Sequence, residues 1–214
     1  MGARIDRRIV TIPFDELDEY PSQTPRPQLA TVREIDCKIT GREISFFFSK
    51  AKYYIEIPNY PGRLKGLLKD IAQGNIRLPD KDGLNPPPPA SPLSLKNKEV
   101  CYVIYRLNLR KNWQFAHDYP PFSIGPQGKA AECHFEARRV DSQGRRQRVV
   151  DRAPKKDNCK VAYFISNGFT ATGFTGQYVH ALNLHVELLF GSGAVRVPLI
   201  IDPDVRYPGG SGSG

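Results

Sequence analysis

Residues 178–205 constrain the fold more than any other stretch of the chain. Leu182, Leu184, Val186 and Leu188 are apolar at every second position, with Asn183, His185 and Glu187 between them. Gly191-Ser192-Gly193 follows, and then Val195, Val197, Leu199 and Ile201 are again apolar at period two. Side chains alternate faces along a strand, so the pattern predicts a two-stranded ribbon with one apolar face. The Gly-Ser-Gly turn supplies residues that take positive φ, which a tight hairpin needs. Such a ribbon cannot cover its own apolar face, so further strands must pack on it. Pro198 lacks an N–H and puts the second strand at an edge or a bulge.

The rest of the chain supplies those strands. Period-two or apolar runs fall at Arg8–Phe14, Val32–Ile39, Ile44–Phe48, Tyr53–Ile57, Val100–Leu107, Trp113–Phe115, Glu132–Val140, Arg145–Val150 and Lys160–Ser166. Val100–Leu107 is apolar on both faces and reads as a central strand covered from both sides. Gly41 and the Asp141-Ser142-Gln143-Gly144 run mark turns between neighbouring strands. One helix is predicted: Leu64, Leu67, Leu68 and Ile71 repeat at i, i+3, i+4, i+7, with Pro61 at its first position and Gly74 past its end. The fold class is therefore mainly β: an antiparallel β-sandwich of about ten strands with one short amphipathic helix.

With 214 residues, 40% of them hydrophobic, the chain can bury one sizeable core. Residues 1–208 are expected to form a single sandwich domain. A proline-rich loop spans residues 79–98, holding six prolines between Pro79 and Pro92, and is a possible boundary between two lobes. Residues 209–214 read as a flexible Gly/Ser tail. No apolar run is long enough to span a membrane and no apolar segment follows the basic N-terminus, so the expected location is the cytoplasm. The four cysteines are then expected to be free thiols.

Charge narrows the function. The formal net charge is +9, and residues 138–160 alone hold nine basic residues against three acidic ones. Arg138, Arg139, Arg145, Arg146, Arg148, Arg152, Lys155 and Lys156 form a basic hairpin that reads as a polyanion or nucleic-acid site. The bland alternative is a solvated hairpin tip, neutralised in part by Asp15, Glu16, Asp18 and Glu19. Arg63 and Lys65 sit in the first helical turn and Asp70 near the last, opposite to what the helix dipole favours. A bound anion at that helix N-terminus would account for the arrangement. Tyr105, Arg106, Arg110, Lys111, Trp113 and Phe115 interleave rings with cations, as single-strand nucleic-acid sites do, although burial is the commoner use of strand aromatics.

Catalytic motifs are absent. No G-x-S-x-G elbow, phosphate loop, dinucleotide fingerprint or H-E-x-x-H occurs, and no CxxC pair suggests structural zinc. His185 and Glu187 share a strand face, and Asp202 or Asp204 could complete a metal or catalytic set with them, but alternating polar residues are also what any solvent-facing strand shows. The sequence thus favours a non-enzymatic binding or self-assembling module without a cofactor. Its partner is a protein or a second copy of the chain, and no membrane is involved. A nucleic acid or other polyanion on the basic hairpin is the alternative, and an enzyme or metal protein with a site assembled from distant residues is the third.

Overall fold

A computed structural model describes residues 12–13, 22, 24–41, 43–49, 52–78, 93–94, 100–117, 119–124, 134–147, 158–166, 178–180, 182–191, 195–201 and 205–207. Fifteen strand segments and one helix are present among the described residues. In chain order they are β1 Ile12–Pro13, β2 Leu29–Thr40, β3 Glu43–Phe48, β4 Lys52–Glu56, α1 Arg63–Gln73, β5 Leu93–Ser94, β6 Cys101–Leu107, β7 Trp113–Phe115 and β8 Phe122–Ile124. They continue with β9 His134–Val140, β10 Arg146–Gln147, β11 Val161–Ser166, β12 Tyr178–His180, β13 Leu182–Phe190, β14 Val195–Ile201 and β15 Val205–Tyr207. The count exceeds the expected ten because several segments are only two or three residues long.

Two sheets face each other, as a sandwich requires. One runs β1-β8-β13-β14 with β7 also on β13, and the other runs β10-β9-β11-β6-β2-β3 with β4 also on β2. The expected ribbon forms between residues 182 and 201, with Leu184 opposite Ile201 and Leu188 opposite Val197. Its apolar face meets the second sheet in a core containing Leu182, Leu184, Val186, Trp113, Phe115, Phe122, Tyr105 and Phe164.

The sandwich is not antiparallel throughout. β2 pairs with β6 in parallel, from Leu29 beside Cys101 to Ile35 beside Leu107. A parallel neighbour needs a long crossover, and the chain between β2 and β6 contains α1. The helix covers the outer face of the second sheet, burying Leu67, Leu68 and Ile71 on Ala30, Val32, Tyr102, Ile104 and Tyr163. That third layer is why β6 and β11 are buried at every position. The residues 79–92 lie outside the described ones, as do most of Arg8–Phe14 and residues 148–150.

Cys37, Cys101 and Cys159 are buried free thiols. No helix among the described residues is long and apolar enough to cross a membrane.

Candidate anion-binding site

The site begins with how α1 is started. Its N-cap is Gly62, not the residue before Pro61, so Pro61 lies outside the helix rather than at its first position. Gly62 (φ 70) and Arg63 (φ 51) are both left-handed, and the Arg63 N–H donates back to the Tyr60 carbonyl. The chain therefore turns sharply into the helix, over Gly66. A Cβ at Gly66 would lie 2.0 Å from the Pro61 carbonyl oxygen, so only glycine allows that approach. Gly62 has no side chain to cap the helix. Asp70, which the dipole argument marks as misplaced, is held by the Tyr60 hydroxyl at 2.8 Å and Asn75 Nδ2 at 3.1 Å. Those two donors hold its carboxyl below the usual range. Local hydrogen bonds thus hold Asp70 in place near the helix C-terminus.

The hairpin between β9 and β10 then comes to the helix. Asp141 Oδ1 accepts the N–H groups of Gln143 and Arg145, and its Oδ2 accepts Arg145 Nε at 2.8 Å. Burial works against ionisation of Asp141, but these donors outweigh it and hold the carboxyl below its ordinary pKa. Gly144 closes the turn at φ +76, and its N–H donates to the Asp141 carbonyl. The turn does not protrude, as a solvated hairpin tip would. Gly144 is buried, and a Cβ there would lie 2.8 Å from the Lys65 carbonyl oxygen and from the Lys69 backbone nitrogen.

Where the turn meets the helix a cleft of 350 Å³ opens, lined by Leu64, Lys65, Leu68, Gly144, Arg145 and Arg146. Two basic features that are far apart in sequence therefore share one concavity. Lys65 comes from the helix, and Arg145 and Arg146 from the hairpin, while Lys69 sits one turn along with its backbone against Gly144. Lys65, Lys69, Arg145 and Arg146 are all exposed. Among the described residues neither Lys65 nor Lys69 has an ion-pair partner. Arg63 is exposed one residue before the cleft lining. Leu64 and Leu68 give the cleft an apolar floor.

Not every predicted cation joins it. Arg139 is only 4% exposed and turns into the sandwich, donating to the carbonyls of Ala116 and His117 at 2.6 Å. It binds the chain's own backbone, so its place in a polyanion patch is corrected. Its strand position explains the error: Arg139 sits opposite Ala162, on the inner face. Arg138, on the opposite face, is half-buried and donates to the Ala137 carbonyl. Lys160 donates its Nζ to the carbonyls of Leu109 and Lys111, and burial pushes its pKa down. Arg148, Arg152, Lys155 and Lys156 lie outside the described residues.

Behind Arg146 stands Tyr163. It is fully buried, its hydroxyl has no hydrogen-bond partner, and burial pushes its pKa up. The Arg146 guanidinium lies against that hydroxyl without hydrogen-bond geometry, and the neighbouring oxygen raises the arginine's pKa.

Other candidates are structural. Tyr105, Trp113 and Phe115 are core residues, and Arg106 is paired with Glu34 at 2.7 Å, so the ring-and-cation run offers no stacking platform. Glu187 is 5% exposed and accepts Gln114 Nε2 and the His117 N–H. His185 meets Ser123 at 2.8 Å from Nε2 to Oγ. That spacing suits a nucleophile and its base. Ser123, however, is 2% exposed in mid-strand between β1 and β13, out of a substrate's reach. No group of three metal-ligating side chains occurs among the described residues. Asp202 and Asp204 lie outside them, as does the acidic run Asp15–Glu19.

At the far end of the ribbon, Val195 and Phe190 are about half exposed although they share the inner face with Leu188. The ribbon there runs past the sheet that should cover it. β14 is an edge strand among the described residues. The N–H groups of His185 and Leu189 point away from β14, to Pro121 and Asn112. By alternation the even-numbered residues of β14, Pro198 among them, face the open edge. Pro198 thus removes a donor from that edge.

The chain matches no protein-family model and no curated protein, so the assignment of function rests on this geometry.

Nothing in the sequence places Gly144 on the helix backbone at Lys65 and Lys69. Glycine at the end of an Asp-x-x-Gly turn reads as turn chemistry, and its second role, letting the turn touch a helix, is visible only in three dimensions.

Proposed function

We propose that the protein is a non-enzymatic β-sandwich module that binds an anionic partner in the cleft between α1 and the β9–β10 turn. The observation that carries this reading is the convergence of Lys65 with Arg145 and Arg146 on one concave surface. Like charges gathered in one place repel one another, and an anion relieves that repulsion. Asp141 beside them is committed to Arg145 and to the turn, and Glu136, which acts on Arg146, is paired with Arg26. The test is a fluorescence titration against generic RNA, DNA and a non-nucleic polyanion, at low and at physiological salt. Binding is expected to fall with salt and to disappear in Lys65→Glu with Arg146→Glu. Lys38→Glu and Arg110→Glu, at exposed cations elsewhere, leave it unchanged. Equal losses in both pairs would refute a localised site.

A second reading is self-association through β14, favoured by Val195 at 55% and Ile200 at 64% exposure. Pro198 weakens simple strand addition there, so contact through side chains is the form it would take. Sedimentation of Val195→Lys with Ile200→Lys beside the parent chain checks it; identical distributions would remove this reading.

A further inference from the structure

Resting on the anion-binding reading, we infer that the cleft is built for a single phosphomonoester carried on a flat or apolar body, rather than for a length of polyanion. Size is the first argument. A volume of 350 Å³ sits at the small end of ligand pockets, which run to roughly 1,000 Å³. The hairpin turn closes one side, because Gly144 is in contact with the helix backbone. A long chain needs an open groove with cations along it, and here the cations face each other across one concavity.

The lining is the second argument. A groove that tracks a phosphate backbone has no use for an apolar floor, whereas the half-buried Leu64 offers one, backed by the buried Leu68. A ligand with a charged head and an apolar body uses both. The third is the count and geometry of charge. Lys65, Arg145 and Arg146 against Asp141 leave a net +2 on these four residues. A phosphomonoester carries about −1.5 to −2 at neutral pH. Arg145 is oriented by its Nε bond to Asp141, which presents its guanidinium in a fixed plane. Arg146 lies beside the buried Tyr163 hydroxyl.

Two sources share this chemistry: a free nucleotide and a phosphorylated side chain. Calorimetric titration of the full chain at physiological salt, with adenosine 5′-monophosphate, O-phosphotyrosine, inorganic phosphate and adenosine, tests the inference. One or both phosphomonoesters are expected to bind about tenfold or more tightly than inorganic phosphate, with adenosine silent. Whichever of the two binds better identifies the source. Lys65→Gln and Arg146→Gln should each weaken binding about tenfold or more, while Leu64→Ser should narrow the gap between the phosphomonoester and inorganic phosphate. Melting curves of each variant establish that it is folded. Inorganic phosphate binding as well as the phosphomonoesters overturns the inference. So does polyanion binding with no monoester binding, which leaves the broader reading standing. Silence from every anion removes both.

Discussion

Gly144→Ala tests the meeting of hairpin and helix on which the cleft depends. Two costs arise. The first is conformational: alanine at φ +76 costs about 1–2 kcal/mol. The second is packing. The new methyl would sit 2.8 Å from the Lys65 carbonyl oxygen and the Lys69 nitrogen, and 2.9 Å from Lys69 Cβ. That is roughly 0.6 Å or more inside ordinary contact with two backbone atoms that cannot rotate away. Forcing such a group into a filled space costs about 1–3 kcal/mol. Gly41 supplies the control. It has φ +61 with nothing within 4 Å of its Cβ position, so Gly41→Ala meets only the conformational cost. For a chain of this length each kcal/mol moves Tm by about 2–4 °C. Gly144→Ala should therefore melt about 2–12 °C below Gly41→Ala, and anion binding at the cleft should weaken with it. Differential scanning calorimetry of the two variants and the parent decides the matter. Equal losses in the two variants would mean that the turn does not rest on the helix, and the cleft would go with it.

Tyr105→Phe should be neutral or stabilising by about 1 kcal/mol, because the wild-type hydroxyl is buried without a partner; a loss above that in urea melts would show a partner exists. The same residue sets an alkaline limit. Burial pushes the Tyr105 pKa up to about 12, so the folded form stays neutral while the unfolded form ionises from pH 10. Stability should fall from pH 10 towards 12, and the fall should be shallower in Tyr105→Phe. Burial pushes the His185 pKa down, so folding favours the neutral ring. Its contribution to stability is then level above about pH 6.5 and declines as pH drops below that value; a His185→Gln variant with an unchanged acid slope would contradict this. Leu68→Ala, at a fully buried helix position, should cost about 2–5 kcal/mol in chemical denaturation.

The β elements and the helix were legible because their periods are strong. The ribbon 182–201, β6 with its two apolar faces and the Leu64–Ile71 stripe each follow from local pattern alone. Parallel pairing of β2 with β6 was not, since neither strand carries a mark of its neighbour's direction. The exposed Val195 shows the same limit: period two tells which face a residue takes, not whether the facing sheet extends that far. At the site, both basic segments were visible as composition, and their convergence was not. Arg139 was misplaced for a related reason. Charge invites an assignment to the surface, while alternation from Ala137 places it inward, where two backbone carbonyls satisfy it.

The parallel β2–β6 contact also bears on how the molecule reaches its fold. The Arg106–Glu34 pair that crosses it joins residues 72 apart in sequence. The β2–β3 and β13–β14 hairpins close over a few residues and are fast to form, whereas this seam must wait until the intervening chain has collapsed. The second sheet is then, in effect, two half-sheets, each supplying half of one zipper. Polypeptides 1–78 and 93–208, made separately, should find each other and close the same seam. The rate of that encounter would measure how much the connecting segment contributes by holding the halves together.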